Sequence, residues 1–235
     1  MQNILKLMWE RHSARAPFDP QRPVATRDLR QILEAARWSP TAHNMQNFEI
    51  IVVDDAKLLE TLGEIESHIS KEFIQENYEQ LSFSEAKLRE KKVGILGTMF
   101  PPTWTDPAKV NEAVRETSFL NRTIRGSPLL LIVVYDPKKR APASEGDVLG
   151  FMSLGCVMEN MWLMAQSLGI DFMIMSVFSA DSIENEVKRV LNMPENLKIA
   201  YACRLGYSVS APAKYPRVRR NVEDFTHYNR FDDRA

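Results

Sequence analysis

Residues 128–135, Pro-Leu-Leu-Leu-Ile-Val-Val-Tyr, limit the possible folds more than any other stretch of this chain. A strand with one wet face alternates apolar and polar side chains. This run does not alternate, so it reads as a strand covered on both faces. It is far too short to cross a bilayer, which takes about 20 apolar residues as a helix. The longest helical pattern, 147–168, is apolar nearly all round through Val148, Phe151, Met152, Leu154, Val157, Met161, Leu163 and Ala165. Such a helix belongs in a core or at an interface. Gly155 inside it weakens the helix unless another backbone packs close, so close packing is expected there.

Other elements fit around this pair. A short helix is expected over 3–12. A second spans 27–38, capped by Thr26 and ended by Pro40, with Leu29, Ile32, Leu33 and Ala36 on one face. Residues 48–53 read as a strand. Residues 55–95 are mostly helical in pattern and highly charged, with Leu58, Leu59, Leu62 and Ile65 as one stripe. A loop follows at 97–105. Asp106 and Pro107 then open a helix that Gly126 closes. Strands at 172–178 and 198–206 flank a helix at 182–191. Helices and strands alternate irregularly, so the expected class is α+β. The expected organisation is a single domain over 1–235, with a helical insertion or lid at about 66–105 and a tail at about 207–235.

Charge and composition exclude several functions. The 235 residues carry a net charge of -1, against a whole-protein grip on nucleic acid. Cys156 and Cys203 sit in apolar stretches, as buried thiols do in a reducing compartment. The four histidines stand far apart, without metal-ligand spacing. The N-terminus lacks a basic start before a long apolar run, so no secretory signal is read there. The expected location is the cytoplasm, with no membrane partner.

Three clusters carry chemistry. In Glu10-Arg11-His12-Ser13-Ala14-Arg15, two arginines and a serine occupy alternate positions and can reach one anion if the backbone is extended. Read alone, the cluster is an ordinary solvated helix end. In 39–47, Ser, Thr, Asn and Gln supply neutral donors and acceptors that suit the polar edge of a heterocycle. Read alone, that segment is a turn. In the tail, Arg217 and Arg219 alternate again within Lys214-Tyr215-Pro216-Arg217-Val218-Arg219-Arg220.

The order of these clusters resembles the nitroreductase family. Arg-x-Ser-x-Arg near the start, a helix running into Ala-Ala-Arg-Trp-Ser-Pro-Thr-Ala-His-Asn-Met-Gln, and then a strand are similar to its opening. Residues 155–171 resemble its central dimer helix, and Leu205-Gly206-Tyr207 followed by Arg217 and Arg219 its close. The resemblance weakens over roughly 57–120. It implies a mostly antiparallel sheet flanked by helices, an intertwined homodimer, and FMN at the dimer interface. It also implies that Arg11 and Ser13 hold the FMN phosphate and ribityl chain, with His12 between them in the same cofactor-binding motif and Arg15 nearby. Arg217 and Arg219 complete the phosphate cradle. Pro40, Thr41, Asn44 and Gln46 form the loop that the partner lays against the flavin. Arg122, close to Asn121, faces flavin N1 and O2, where reduced flavin carries negative charge.

One departure stands out. Where relatives commonly place an acidic residue and a glycine, this chain reads Met175-Ser176-Val177-Phe178. Ser176 and Val177 are left to offer backbone groups to flavin N5. The resemblance implies electron transfer from NAD(P)H to a small electron-poor acceptor in a ping-pong cycle, with no metal. Phe100 and Trp104 are candidates for a substrate lid, or for simple surface packing. Related chemistries on the same fold are reductive dehalogenation and flavin cleavage to dimethylbenzimidazole. The dehalogenase Glu-x-x-x-Tyr pattern is poorly matched, because Ile74 precedes Tyr78 by four. A non-enzymatic FMN sensor is the alternative from another class, and an adaptor using the basic tail is a third.

Overall fold

The computed structural model describes residues 4–67, 86, 90, 119–124, 126–144, 146–210 and 219–232. The chain divides into two compact units, Met1–Ser67 with Ser118–Pro212, and His68–Thr117 with Ala213–Ala235. The expected insertion lies outside the described residues apart from 66, 67, 86 and 90, and so do Phe100, Trp104, Asp106 and Pro107.

The first unit is built on one antiparallel sheet. Its strands are β1 (Glu49–Val53), β2 (Leu129–Tyr135), β3 (Asp171–Met175) and β4 (Lys198–Gly206), in the order β1-β2-β4-β3. Around it lie α1 (Ile4–Glu10), α2 (Thr26–Arg37), α3 (Ala56–Gly63), α4 (Phe119–Ile124), α5 (Val148–Ser167) and α6 (Asp181–Leu191). The apolar run behaves as expected, because β2 lies inside the sheet and residues 129–134 are all buried. Leu130, Ile132 and Val134 join a core with residues of α3, α4 and α6. Leu129, Leu131 and Val133 join a second core with residues of α2 and α5. Successive side chains point to opposite faces, so one strand feeds both cores.

Several boundaries differ from expectation. Thr26 is the first residue of α2 rather than its cap. The cap position is Ala25, whose side chain makes no capping bond, and Asp28 in the first turn meets the positive end of the helix dipole. The strand expected over 172–178 stops at Met175. The ladder ends there because Met175 pairs with Ala202, and β4 then bulges: Val133 and Val134 pair with Tyr201 and Ile199, leaving Ala200 between. Ser176–Ser179 turns into a 3-10 helix, with the Ser179 hydroxyl donating 2.7 Å to the Ser176 carbonyl. Leu58 is exposed, while Leu59, Leu62 and Ile65 are buried. Among the described residues, none outside its own stretch of helix comes within 4 Å of the Cβ position of Gly155, so none of them is the expected backbone neighbour. By length and composition α5 could cross a membrane. In this fold it packs on α2, α1 and β3.

Close packing at the end of β4 has a measurable consequence. A Cβ on Gly206 would stand 2.8 Å from ring atoms of both Phe18 and Pro128. Phe18 is fully buried and the proline ring is rigid, so neither can yield cheaply. Gly206→Ala is expected to cost about 1–3 kcal/mol, the usual range for overpacking, read as a lower urea midpoint.

Candidate functional site

The basic strip owes its shape to where α1 stops. The helix ends at Glu10, and the Arg11 amide donates 2.8 Å to the Leu7 carbonyl. The chain then runs along the outer edge of β3. The Ala14 amide donates 3.0 Å to the Phe172 carbonyl, and Phe18 bridges to Ser208. Ala14 and Phe18 are buried while Arg11, His12, Ser13 and Arg15 are half-buried. With Ala14 turned inward, its neighbours Ser13 and Arg15 take the opposite side, as the two-residue period of an extended chain requires.

Each end of the strip is fastened to α5 or β3. The Arg11 guanidinium lies 4.2 Å over the Trp162 ring, and its Nε is 3.3 Å from Glu159 Oε1. Trp162 Nε1 donates 3.3 Å to the His12 carbonyl and its ring stacks on Phe172. His12 Nε2 is buried without a hydrogen-bond partner among the described residues, 3.9 Å from Asp171 Oδ1. Asp171 Oδ2 accepts the Ser208 amide at 2.8 Å.

Arg204 went unnoticed in the sequence. It is buried on β4, and its Nη2 donates 2.9 Å to each of the Ala14 and Ala16 carbonyls. Its guanidinium lies 4.3 Å over the Phe18 ring. Burial, aided by the charge of Arg15 and opposed by Asp171, pulls its pKa down to about 10, so it stays a cation at neutral pH. The available signal was a single charge in the otherwise apolar run from Ile199 to Gly206, since a buried charge must find partners.

The polar loop is also braced by α5. Asn160 Nδ2 donates 2.9 Å to Ser39 Oγ, which donates onward to the Ala35 carbonyl at 3.2 Å. The Ala42 amide donates 3.0 Å to Ser153 Oγ. Within the loop, the Gln46 amide donates to Thr41 Oγ1 and Gln46 Nε2 to Asn44 Oδ1, both at 3.2 Å. His43, Asn44 and Gln46 have φ of 51, 52 and 45°, left-handed values that cost roughly 1 kcal/mol or more each outside glycine. Asn47 ties the loop down by donating 2.8 Å to the carbonyls of Asp136 and Lys139. Asn47 closes the polar cluster read over 39–47, whereas Ser153 and Asn160 carry no signal of their own, because isolated polar residues have no period. Pro40 is exposed and Thr41 helps line a cleft with Tyr135, Phe151 and Leu154. Burial, then Asp147 and Glu184, raises the Tyr135 pKa and keeps its hydroxyl protonated.

The strip and the loop therefore hang on one helix, the strip at Glu159 and Trp162, the loop at Ser153 and Asn160. Ser176 and Val177 open the turn after β3, the strand that carries the strip. Arg122 lies on α4, with its side chain outside the description. Arg217 lies outside the described residues. Arg219 is exposed and belongs to the second unit, where Asn221 and Asp224 form a capping box over a 3-10 turn. Cys156 and Cys203 are free thiols. Among the described residues, no three His, Cys, Asp or Glu side chains gather as a metal site would need.

A family model described as the nitroreductase family matches residues 9–207. The chain belongs to the nitroreductase family. Over 207 residues it is 22% identical to an Archaeoglobus fulgidus protein whose provisional name pairs NADH dehydrogenase with NAD(P)H nitroreductase, covering 88% of this chain and 86% of the relative. A Bacteroides fragilis nitroreductase solved with bound FMN superposes with a TM-score of 0.62 at 22% identity, covering 94% of this chain and 97% of that one. An FMN-dependent nitroreductase of Clostridium difficile gives 0.61 at 18%, covering 97% and 99%. At these identities the structures establish the α+β nitroreductase fold.

Proposed function

We propose that this member of the nitroreductase family is an FMN-dependent oxidoreductase. It passes electrons from NADH or NADPH to an electron-poor organic acceptor, such as a nitroaromatic, a quinone or an enone-like compound, in a ping-pong cycle. It works as a homodimer in the cytoplasm, with neither nucleic acid nor membrane as partner. The observation that carries this reading is the strip itself. Arg11, Ser13 and Arg15 occupy alternate positions of an extended segment backed by the buried Arg204. That donor set fits a phosphate, since guanidinium forks and a hydroxyl all donate to anionic oxygens. The solved relative with bound FMN supports the choice of anion.

FMN, when bound, supplies the redox chemistry, and the protein supplies grip, orientation and charge. Arg11, His12, Ser13 and Arg15 would bind the phosphate end, and the family resemblance adds Arg217 and Arg219 to that set. Pro40, Thr41, Asn44 and Gln46 meet the heterocycle edge from the partner protomer. Arg122 offers a cation where negative charge collects on reduction. Ser176 and Val177 offer backbone groups. Val148, Phe151 and Met152 on α5 are exposed, as are Trp9 and Trp38, and exposed apolar side chains of that size suit burial against a second copy of the chain.

An absorbance scan of purified protein, followed by anaerobic NADH or NADPH, tests this reading. Flavin peaks that bleach are the expected result. Flavin that resists bleaching favours the sensor or flavin-cleaving alternatives. Colourless protein that also refuses added FMN overturns the cofactor assignment.

A further inference from the structure

We infer that Arg204 is a positioning residue for phosphate recognition, acting through the backbone of the basic strip rather than by touching the ligand. The inference rests on the FMN reading above and deepens it. Arg204 is only 2% exposed, so a bound anion has little access to it. Its two hydrogen bonds to oxygen among the described residues go to the carbonyls of Ala14 and Ala16, the residues on either side of Arg15. Ala14 is thereby held at both ends, its amide by β3 and its carbonyl by β4. A segment pinned at Ala14 and Ala16 cannot rotate about its axis. That fixes the side on which Ser13 and Arg15 emerge.

The remaining contacts of Arg204 are soft. They are the Phe18 ring and Met173 Sδ, the latter 3.2 Å from Nε. Asp171, the carboxylate whose charge opposes the lowering of the Arg204 pKa, is itself occupied by the Ser208 amide. Arg204 therefore spends Nη2, the far tip of its guanidinium, on both backbone carbonyls of the strip, and a lysine ammonium stops one bond short of that position. Its charge also repels Arg15. An anion on the outer side of the strip relieves that repulsion.

The test compares FMN with riboflavin, which lacks the phosphate, by titrating apoprotein and following flavin fluorescence. The wild type is expected to favour FMN. Arg204→Met is expected to weaken FMN roughly 10- to 100-fold while riboflavin changes less than about threefold, because misplacing donors by an ångström costs about that much. Arg204→Lys keeps the charge but stops one bond short of the Nη2 position that meets both carbonyls, so the preference for FMN is expected to fall by about threefold or more. Hydrogen exchange at the Ala14 amide is expected to quicken in both folded variants. A preference unchanged in Arg204→Lys overturns the inference, even where Arg204→Met loses it, since charge alone would then explain the effect. A merely structural role lowers the melting temperature and weakens both flavins alike, which also overturns it. If Arg204→Met fails to fold, Arg204→Lys decides. A wild type that binds neither flavin overturns the cofactor reading first and this inference with it.

Discussion

Apoprotein carrying Arg11→Ala and Arg15→Ala together will bind FMN roughly 10²- to 10⁴-fold more weakly than wild type. A hydrogen bond to a charged group contributes about 1.5–3 kcal/mol, so two of them contribute about 3–6 kcal/mol, at about 1.4 kcal/mol per tenfold in affinity. The geometry sharpens the expectation for Arg11. Its Nε lies 3.3 Å from Glu159, so alanine there removes a cation and also exposes a carboxylate to the incoming phosphate. Arg11→Ala alone is therefore expected to hurt more than Arg15→Ala. Both arginines are half-buried, so added salt will weaken wild-type binding and have less effect on the double variant. Flavin fluorescence titration measures the loss, with circular dichroism to show that the fold persists. A folded double variant that binds FMN within threefold of wild type would remove the strip from the site.

Much of this arrangement was legible before any coordinates. The doubly buried β2 and the lengths of α2, α5 and β4 follow from apolar period and helix punctuation. Those signals are local, and local signals survive folding. The helix expected over 3–12, by contrast, stops at Glu10, and that stop is what frees Arg11 and His12 for the strip. What stayed hidden depends on contacts far along the chain. Arg204 is a lone charge in an apolar run, without a visible partner until Ala14 and Ala16 are brought to it across nearly the whole sequence. Ser153 and Asn160 look like ordinary polar breaks in an apolar helix until the loop settles on them. Thr26 missed its capping role because propensity fixes a helix start only to within a residue or two. Strand β3 ended early because its partner bulges, which no property of 172–178 could announce.

Gly155→Leu will weaken self-association by roughly 30- to 10⁴-fold while leaving the isolated protomer folded. Among the described residues, none outside its own stretch of helix comes within 4 Å of the Cβ position of Gly155, so the protomer leaves room there. A non-glycine residue should instead favour the helix by about 0.5–1 kcal/mol, since glycine loses the most backbone freedom on folding. Val148, Met152 and Gly155 recur at helical spacing on one face of α5, and the first two are exposed. A glycine in that face lets two helices approach closely. A leucine would hold them apart at a cost of about 1–3 kcal/mol, incurred twice if a two-fold axis relates the copies. Sedimentation equilibrium over a dilution series reads the dissociation constant, and thermal melting of dilute protein reads the protomer. The two measurements should move in opposite directions, with weaker association and an equal or higher melting temperature. If association is unchanged while the melt rises, the α5 face is solvent-exposed in the working protein. The flavin loop would then have to serve the site of its own protomer.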